Sequence, residues 1–260
     1  MRKLFLTWQD KKSRQWFPVG QLISDDKSFR FFYIQGALEA QKEANFQPLV
    51  SFPDFRKVYE SNELFPMFSN RVMPDSRPEY KQTIEYLSLP EDYNDPLAFL
   101  ALTGGAKVTD SFEMFCHPKL DDKGEYNLHF FAHGLRYLPE CSIERIGRMN
   151  SGDKIDLAHA FQNPFEENAL QLHTRDNFIV GYCPSYLLDD INEMRRFKDI
   201  EVCVERVNDK SAPLQFRLLC RLIFPQMQNY IPFAAKRYES IAYEALLRIE
   251  SSDISFAQKY

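Results

Sequence analysis

No stretch of the 260 residues is apolar for long enough to cross a bilayer. The opening Met1-Arg2-Lys3-Leu4-Phe5 runs into Asp10-Lys11-Lys12, so no signal-peptide core is expected. Cysteine is sparse and odd in number: Cys116, Cys141, Cys183, Cys203 and Cys220, with no CxxC pair. That pattern argues against a disulfide framework and for reduced thiols in a cytoplasmic setting. Positive charge is also short. The net charge is −5, so phosphate would be repelled over most of the surface and any nucleic-acid contact must be local. Glycine is scarce, with 9 residues, and none builds a phosphate cradle: Gly104-Gly105 is followed by Ala106-Lys107, without P-loop spacing. Nucleophile-elbow, zinc-protease and kinase catalytic-loop motifs are missing too, so catalysis is not expected.

What the chain has in quantity is aromatic surface: 23 Phe and 13 Tyr, within an aromatic share of 15%. Such side chains bury large areas with few rotatable bonds, so two small modules can each build a core. Lys3–Trp8, Gln15–Leu22 and the alternating Phe29, Phe31 and Tyr33 read as strands of a small antiparallel sheet. Asp54–Tyr59, Arg77–Leu87 and Pro96–Leu102 read as helical, the last stopped by Gly104-Gly105. Pro118–Tyr126 reads as a linker or hairpin. Beyond it, strands are expected over Leu128–His133, Lys154–Phe161, Ala169–His173, Phe178–Tyr182 and Ile200–Val207, with a helix over Ser185–Phe197. Short strands around one helix suggest a small, partly closed β-barrel. Pro213–Phe224 fits strand or helix, and Pro232–Glu250 reads as a helical tail through Tyr238, Ile241, Ala245 and Ile249. The expected fold class is therefore α+β: module 1–117, module 118–207 and a helical extension 208–260.

His129 and His133 share one face of a predicted strand, close in sequence to Cys116-His117. A metal is one reading of that set. Half-buried barrel histidines are the simpler one, since no recognised ligand spacing is present. Neither metal nor cofactor is expected. Asp189-Asp190 reads as a helix-surface pair rather than a catalytic one.

Three fragments of the second module stand out: Gly134-Leu135-Arg136-Tyr137, Asn163-Pro164-Phe165-Glu166-Glu167-Asn168-Ala169 and Val180-Gly181-Tyr182-Cys183-Pro184. An Arg-Tyr pair and a Phe beside an Asn-Pro turn offer flat surfaces for base stacking and one charge for a phosphate. In this order and spacing the fragments resemble the HIRAN domain, over about residues 129–207. The resemblance implies capture of a single-stranded DNA 3′ end. Arg136 would meet phosphate and Tyr137 would stack. Asn163 would belong to the same nucleic-acid-binding set, Phe165 would stand for the family Tyr, and Glu166 for the family Asp near the terminal hydroxyl. Ser185 stands where many members carry a basic residue. Across 120–205 there are nine Lys/Arg against sixteen Asp/Glu, so stacking has to outweigh charge.

The first module carries Val19-Gly20-Gln21-Leu22, Phe29-x-Phe31-x-Tyr33 and Phe68-Ser69-Asn70-Arg71-Val72-Met73-Pro74. Together these resemble the N-terminal subdomain of HipA-type kinases, without the kinase lobes. The resemblance implies an antitoxin that docks on and neutralises a HipA-like Ser/Thr kinase in a bacterial toxin–antitoxin operon. Such operons also encode a helix-turn-helix regulator. Trp16, Phe17, Phe65, Phe68 and Arg71 are the candidate contacts, with core packing as the competing role for them. A single-stranded DNA-end binder in repair or genome defence is the alternative.

Overall fold

The structure is a computed structural model. It describes residues 2–25, 28–90, 93, 95–161, 163, 166–197, 200–228 and 230–242. The chain divides into two compact units. The first takes the described residues of Met1–Val72, Gly104–His117 and Phe233–Tyr260, the second those of Met73–Thr103 and Pro118–Pro232.

The first unit is built on strands β1 (Arg2–Gln9), β2 (Trp16–Ser24), β3 (Phe29–Tyr33), β4 (Tyr59–Ser61) and β5 (Phe112–Cys116), with helices α1 (Gln35–Ala44) and α2 (Pro66–Ser69). The antiparallel sheet has the order β4-β3-β2-β1-β5. The β1–β2 turn is tied by Asp10, whose carboxylate accepts from the backbone N–H and the hydroxyl of Ser13. Inside the unit the aromatics found in the sequence become core. Phe31 stacks on Phe52 at 4.2 Å, and Phe52 meets Phe65 edge-on at 5.1 Å. The buried Tyr33 hydroxyl donates to Phe52 O at 2.8 Å and accepts from Leu49 N–H at 2.7 Å, which pins the loop after α1. Asp54–Tyr59, expected to be helical, is not. Asp54 caps a tight turn through Arg56 N–H, and Tyr59 opens β4.

The expected C-terminal helix also needs correcting. Over 233–242 the chain is a run of turns and bends around one 3₁₀ turn at Lys236–Tyr238, with Phe233 in the left-handed region at φ +56°. Glu239 O accepts from Gln35 N–H, and Ser240 bridges to Ile34. Tyr238 and Phe233 pack against Phe5, at 4.8 and 6.2 Å. Backbone partners at the end of β3 replace those a helix would supply. Ala245 and Ile249, the rest of that apolar stripe, lie outside the described residues.

Burial pushes the Glu113 carboxyl, on β5, up to about 7. The unfolded chain loses that proton near the ordinary value of 4.5. Between the two values the folded chain holds the extra proton, so stability is full below the lower value and falls as pH rises through the upper one. Glu113→Gln should leave stability near wild type at about pH 5 and raise it by about 2 kcal/mol at about pH 8. Urea titrations at the two pH values measure this; an equal effect at both would refute it.

The second unit contributes α3 (Tyr80–Tyr86), α4 (Pro96–Thr103), β6 (Lys119–Leu120), β7 (Glu125–Phe131), α5 (Glu140–Ile146), β8 (Lys154–His159), β9 (Leu170–His173), β10 (Ile179–Tyr182), α6 (Leu188–Phe197), β11 (Glu201–Val207) and β12 (Leu218–Pro225). Its antiparallel sheet runs β10-β9-β8-β11-β12-β7-β6. This is an open seven-stranded sheet and not the expected barrel. One isolated bridge, His133 to Tyr182, links the end of β7 to β10 without a closing ladder. Register shifts at Ile179/Gly181 and Val204/Arg206 mark bulges that bend β10 and β11.

Residues 208–225 are not a helical extension. Pro213–Phe224, open between strand and helix in the sequence, yields a 3₁₀ turn and then β12, which inserts between β11 and β7. Seven β12 residues pair with β7, from Leu219↔Phe131 to Pro225↔Glu125. Buried Asn208 locks the entry by donating to Tyr86 O at 2.9 Å and Phe216 O at 2.6 Å.

Candidate functional site

All three sequence fragments lie in the second unit, and the sheet draws them together. The backbone groups of His133 and Tyr182 exchange two hydrogen bonds, of 2.9 and 3.0 Å. This brings Gly134–Tyr137 beside Gly181–Cys183. Cys183 N–H then donates to Leu170 O at 2.9 Å, and Ala160 N–H to Ala169 O at 2.9 Å, which anchors the base of the Asn163–Ala169 turn to the same strands.

Two glycines set this junction. Gly134 has φ +76°, and a Cβ there would stand 2.8 Å from Cδ2 of Tyr182. Gly181 has φ +146°, and a Cβ there would stand 2.8 Å from Cβ of Ala132 and 3.2 Å from His133 O. Only glycine meets both the backbone conformation and the close approach. From Gly134 the chain makes a 3₁₀ turn, Leu135–Tyr137. Leu135 is buried and anchors the turn, which turns Arg136 and Tyr137 outward. Tyr137 is 76% exposed. The Arg136 guanidinium lies 5.0 Å from its ring centroid, a cation–π contact on one ring face.

In the Asn163 turn, the Asn163 side-chain oxygen accepts from Glu166 N–H at 3.2 Å, and Glu166 Oε1 accepts from Asn168 N–H at 3.3 Å. Asn163 thus shapes the turn. Burial pushes the Glu166 carboxyl above its ordinary value. Asn168 N–H partly offsets that, and the nearby charges of Asp189 and Glu167 add to it. Phe165 lies outside the described residues. Ser185 opens the 3₁₀ turn that leads into α6.

Sequence reasoning missed four residues here. Phe161 is 91% exposed, with its ring 5.8 Å from that of His159. His159 also lines an open cleft of about 600 Å³ together with Arg195 and Arg196 of α6. The signal was the phase of α6. Leu188, Ile191 and Met194 take the buried face, which leaves Arg195 and Arg196 outside.

The first-unit candidates sort differently. Phe17 and Phe68 are 1% and 0% exposed, so they are core and not contacts. Phe17 lies 6.2 Å from Trp8, and Phe68 lies 5.6 Å from Phe31. The Arg71 side chain is 3% exposed and is held by Asp110, Gly105 O and Met67 O. It is a structural tie. Trp16 and Phe65 are half-buried.

The metal reading of the histidines gains no support from geometry. His129 Nε2 lies 3.8 Å from Glu205 Oε2, which Arg221 Nε approaches to 3.2 Å. Among the described residues no group of three or more His, Cys, Asp and Glu could hold an ion. Also among them, no helix is long and apolar enough to cross a membrane.

No protein-family model matches the chain, and no curated protein matches it. Two solved structures overlap with part of it. The HIRAN domain of human HLTF aligns at 19% identity over 42% of this chain and 84% of that one, with a TM-score of 0.31. A Lactobacillus plantarum protein from a structural genomics consortium aligns at 15% identity over 39% of this chain and 99% of that one, with a TM-score of 0.30. At such scores the overlap assigns no residue a role, so the site rests on its own geometry.

Proposed function

We propose that the second unit binds the end of a single-stranded nucleic acid without making or breaking a bond. The observation that carries this is the Arg136–Tyr137 pair. A tyrosine ring is held out of the core on a turn fixed by Gly134, with a guanidinium over one face. The other face is free of that guanidinium and suits a base, while the charge suits the adjoining phosphate. The HIRAN resemblance of the same residues adds the finer expectation of a DNA 3′ end. A fluorescence titration with 3′-hydroxyl and 3′-phosphate oligonucleotides tests it: tighter binding of the hydroxyl form is expected, and equal affinities would remove the end preference.

Glu166 gives this binding a pH signature. Its carboxyl holds its proton to a higher pH than an ordinary glutamate and, once charged, repels phosphate. Affinity should therefore fall as pH rises above the ordinary carboxylate range. Glu166→Gln should flatten that fall by several-fold. A slope unchanged by the substitution would assign the pH response to other groups.

A second reading, docking on a HipA-like kinase as an antitoxin, rests on the first unit's sequence resemblance. With Phe17 and Phe68 in the core, it would use the exposed edges of Trp16 and Phe65. Co-purification with such a kinase, and growth rescue on co-expression, tests it; no complex and no rescue would remove it.

A further inference from the structure

The polar side of α6 faces an open cleft. Asn192 and Glu193 lie three and four residues after Asp189, Arg196 lies four and three residues after them, and all four line it. His159, at the end of β8, and Asn168, in the turn before β9, line it as well. Phe161 is not itself a lining residue, but its ring lies 5.8 Å from that of His159, tilted by 37°. A Phe 91% exposed costs water contact without gaining core packing. The helix segregates its charges, with Asp189 in the first turn and Arg195 and Arg196 in the last. Neither arginine makes an ion pair among the described residues. From residue 189 to 196 the axis rises about 10 Å. That length and the cleft's volume of about 600 Å³ suit one nucleotide.

We propose that this cleft is a nucleotide subsite. The base stacks on the Phe161–His159 ring pair, the phosphate meets Arg195 and Arg196, and Glu193 accepts from an exocyclic amino group of the base. Its choice of ligand rests on the reading of the second unit as a single-strand binder. The acidic wall adds selectivity: cytosine offers an amino donor where thymine offers a carbonyl acceptor. Deoxycytidine 5′-monophosphate should thus bind better than thymidine 5′-monophosphate, and better than deoxycytidine without its phosphate.

The test is an NMR titration of the full ¹⁵N-labelled chain. Deoxycytidine monophosphate should shift the amides of His159, Phe161, Asn168 and Asn192. Thymidine monophosphate and unphosphorylated deoxycytidine should each bind about fivefold or more weakly. R195Q/R196Q should weaken deoxycytidine monophosphate by a similar factor, and Phe161→Ala, which removes an exposed side chain, should do so independently. No shift at the cleft, or the same shift with inorganic phosphate alone, overturns the subsite. Oligonucleotide binding by wild type and Tyr137→Ala is read in parallel. A strand held through Tyr137 while the cleft stays unmoved removes the subsite and keeps the wider reading. Cleft shifts without strand binding do the reverse.

Discussion

Replacing Tyr137 with alanine is expected to weaken binding of a short single-stranded oligonucleotide by roughly tenfold to a hundredfold, the worth of one base–aromatic stack. Stability should barely move, because the ring is 76% exposed, with the Arg136 guanidinium over one face. An exposed substitution of this kind costs within about 0.5 kcal/mol. Tyr137→Phe keeps the flat surface and should keep most of the affinity. The salt response should be shallow. With sixteen acidic residues against nine basic ones over 120–205, few counterions are released, and stacking carries the free energy. Anisotropy titrations of the three proteins at low and moderate salt read all of this. Alanine and wild-type chains that bind alike would take Tyr137 out of the site.

The second large effect is on the scaffold. Gly181→Val should destabilise the second unit by about 3 kcal/mol. Overpacking against Ala132 costs roughly 1–3 kcal/mol, and a β-branched residue at φ +146° is strained besides. The same step should loosen the His133–Tyr182 exchange that brings the three fragments together. Thermal unfolding should shift down by roughly 10 °C, with loss of oligonucleotide binding at temperatures where the variant is still folded. A Gly181→Val chain as stable as wild type would mean that the junction is looser than the geometry indicates.

Much of the local structure was legible because its causes are local. Alternation pointed to β8, short runs between turn residues to β9, β10 and β11, and paired glycines to the end of α4. The Gly-x-Arg-Tyr, Asn-Pro and Gly-Tyr fragments could be read as one constellation because their order and spacing resemble those of the HIRAN domain. What stayed illegible depends on distant partners. Leu218–Pro225 becomes a strand only because β7 and β11 leave a slot between them. Tyr238 and Ser240 give up helix because Phe5 and Ile34 hold them. Phe17 and Phe68 could be docking aromatics or core in a chain rich in Phe, and their burial places them in the core. Phe161 was hidden in the opposite way. It sits next to an alternating strand whose pattern implied burial, yet the strand ends at His159 and leaves it in solvent.

The central claim is that the second unit presents a preorganised stacking surface for unpaired bases. The most direct measurement is the affinity of the full chain for one six-nucleotide strand, free and then annealed to its complement. The account predicts saturable binding of the free strand and at least tenfold weaker binding of the duplex, whose bases are already stacked. Equal affinity for both forms, or none for either, would contradict it.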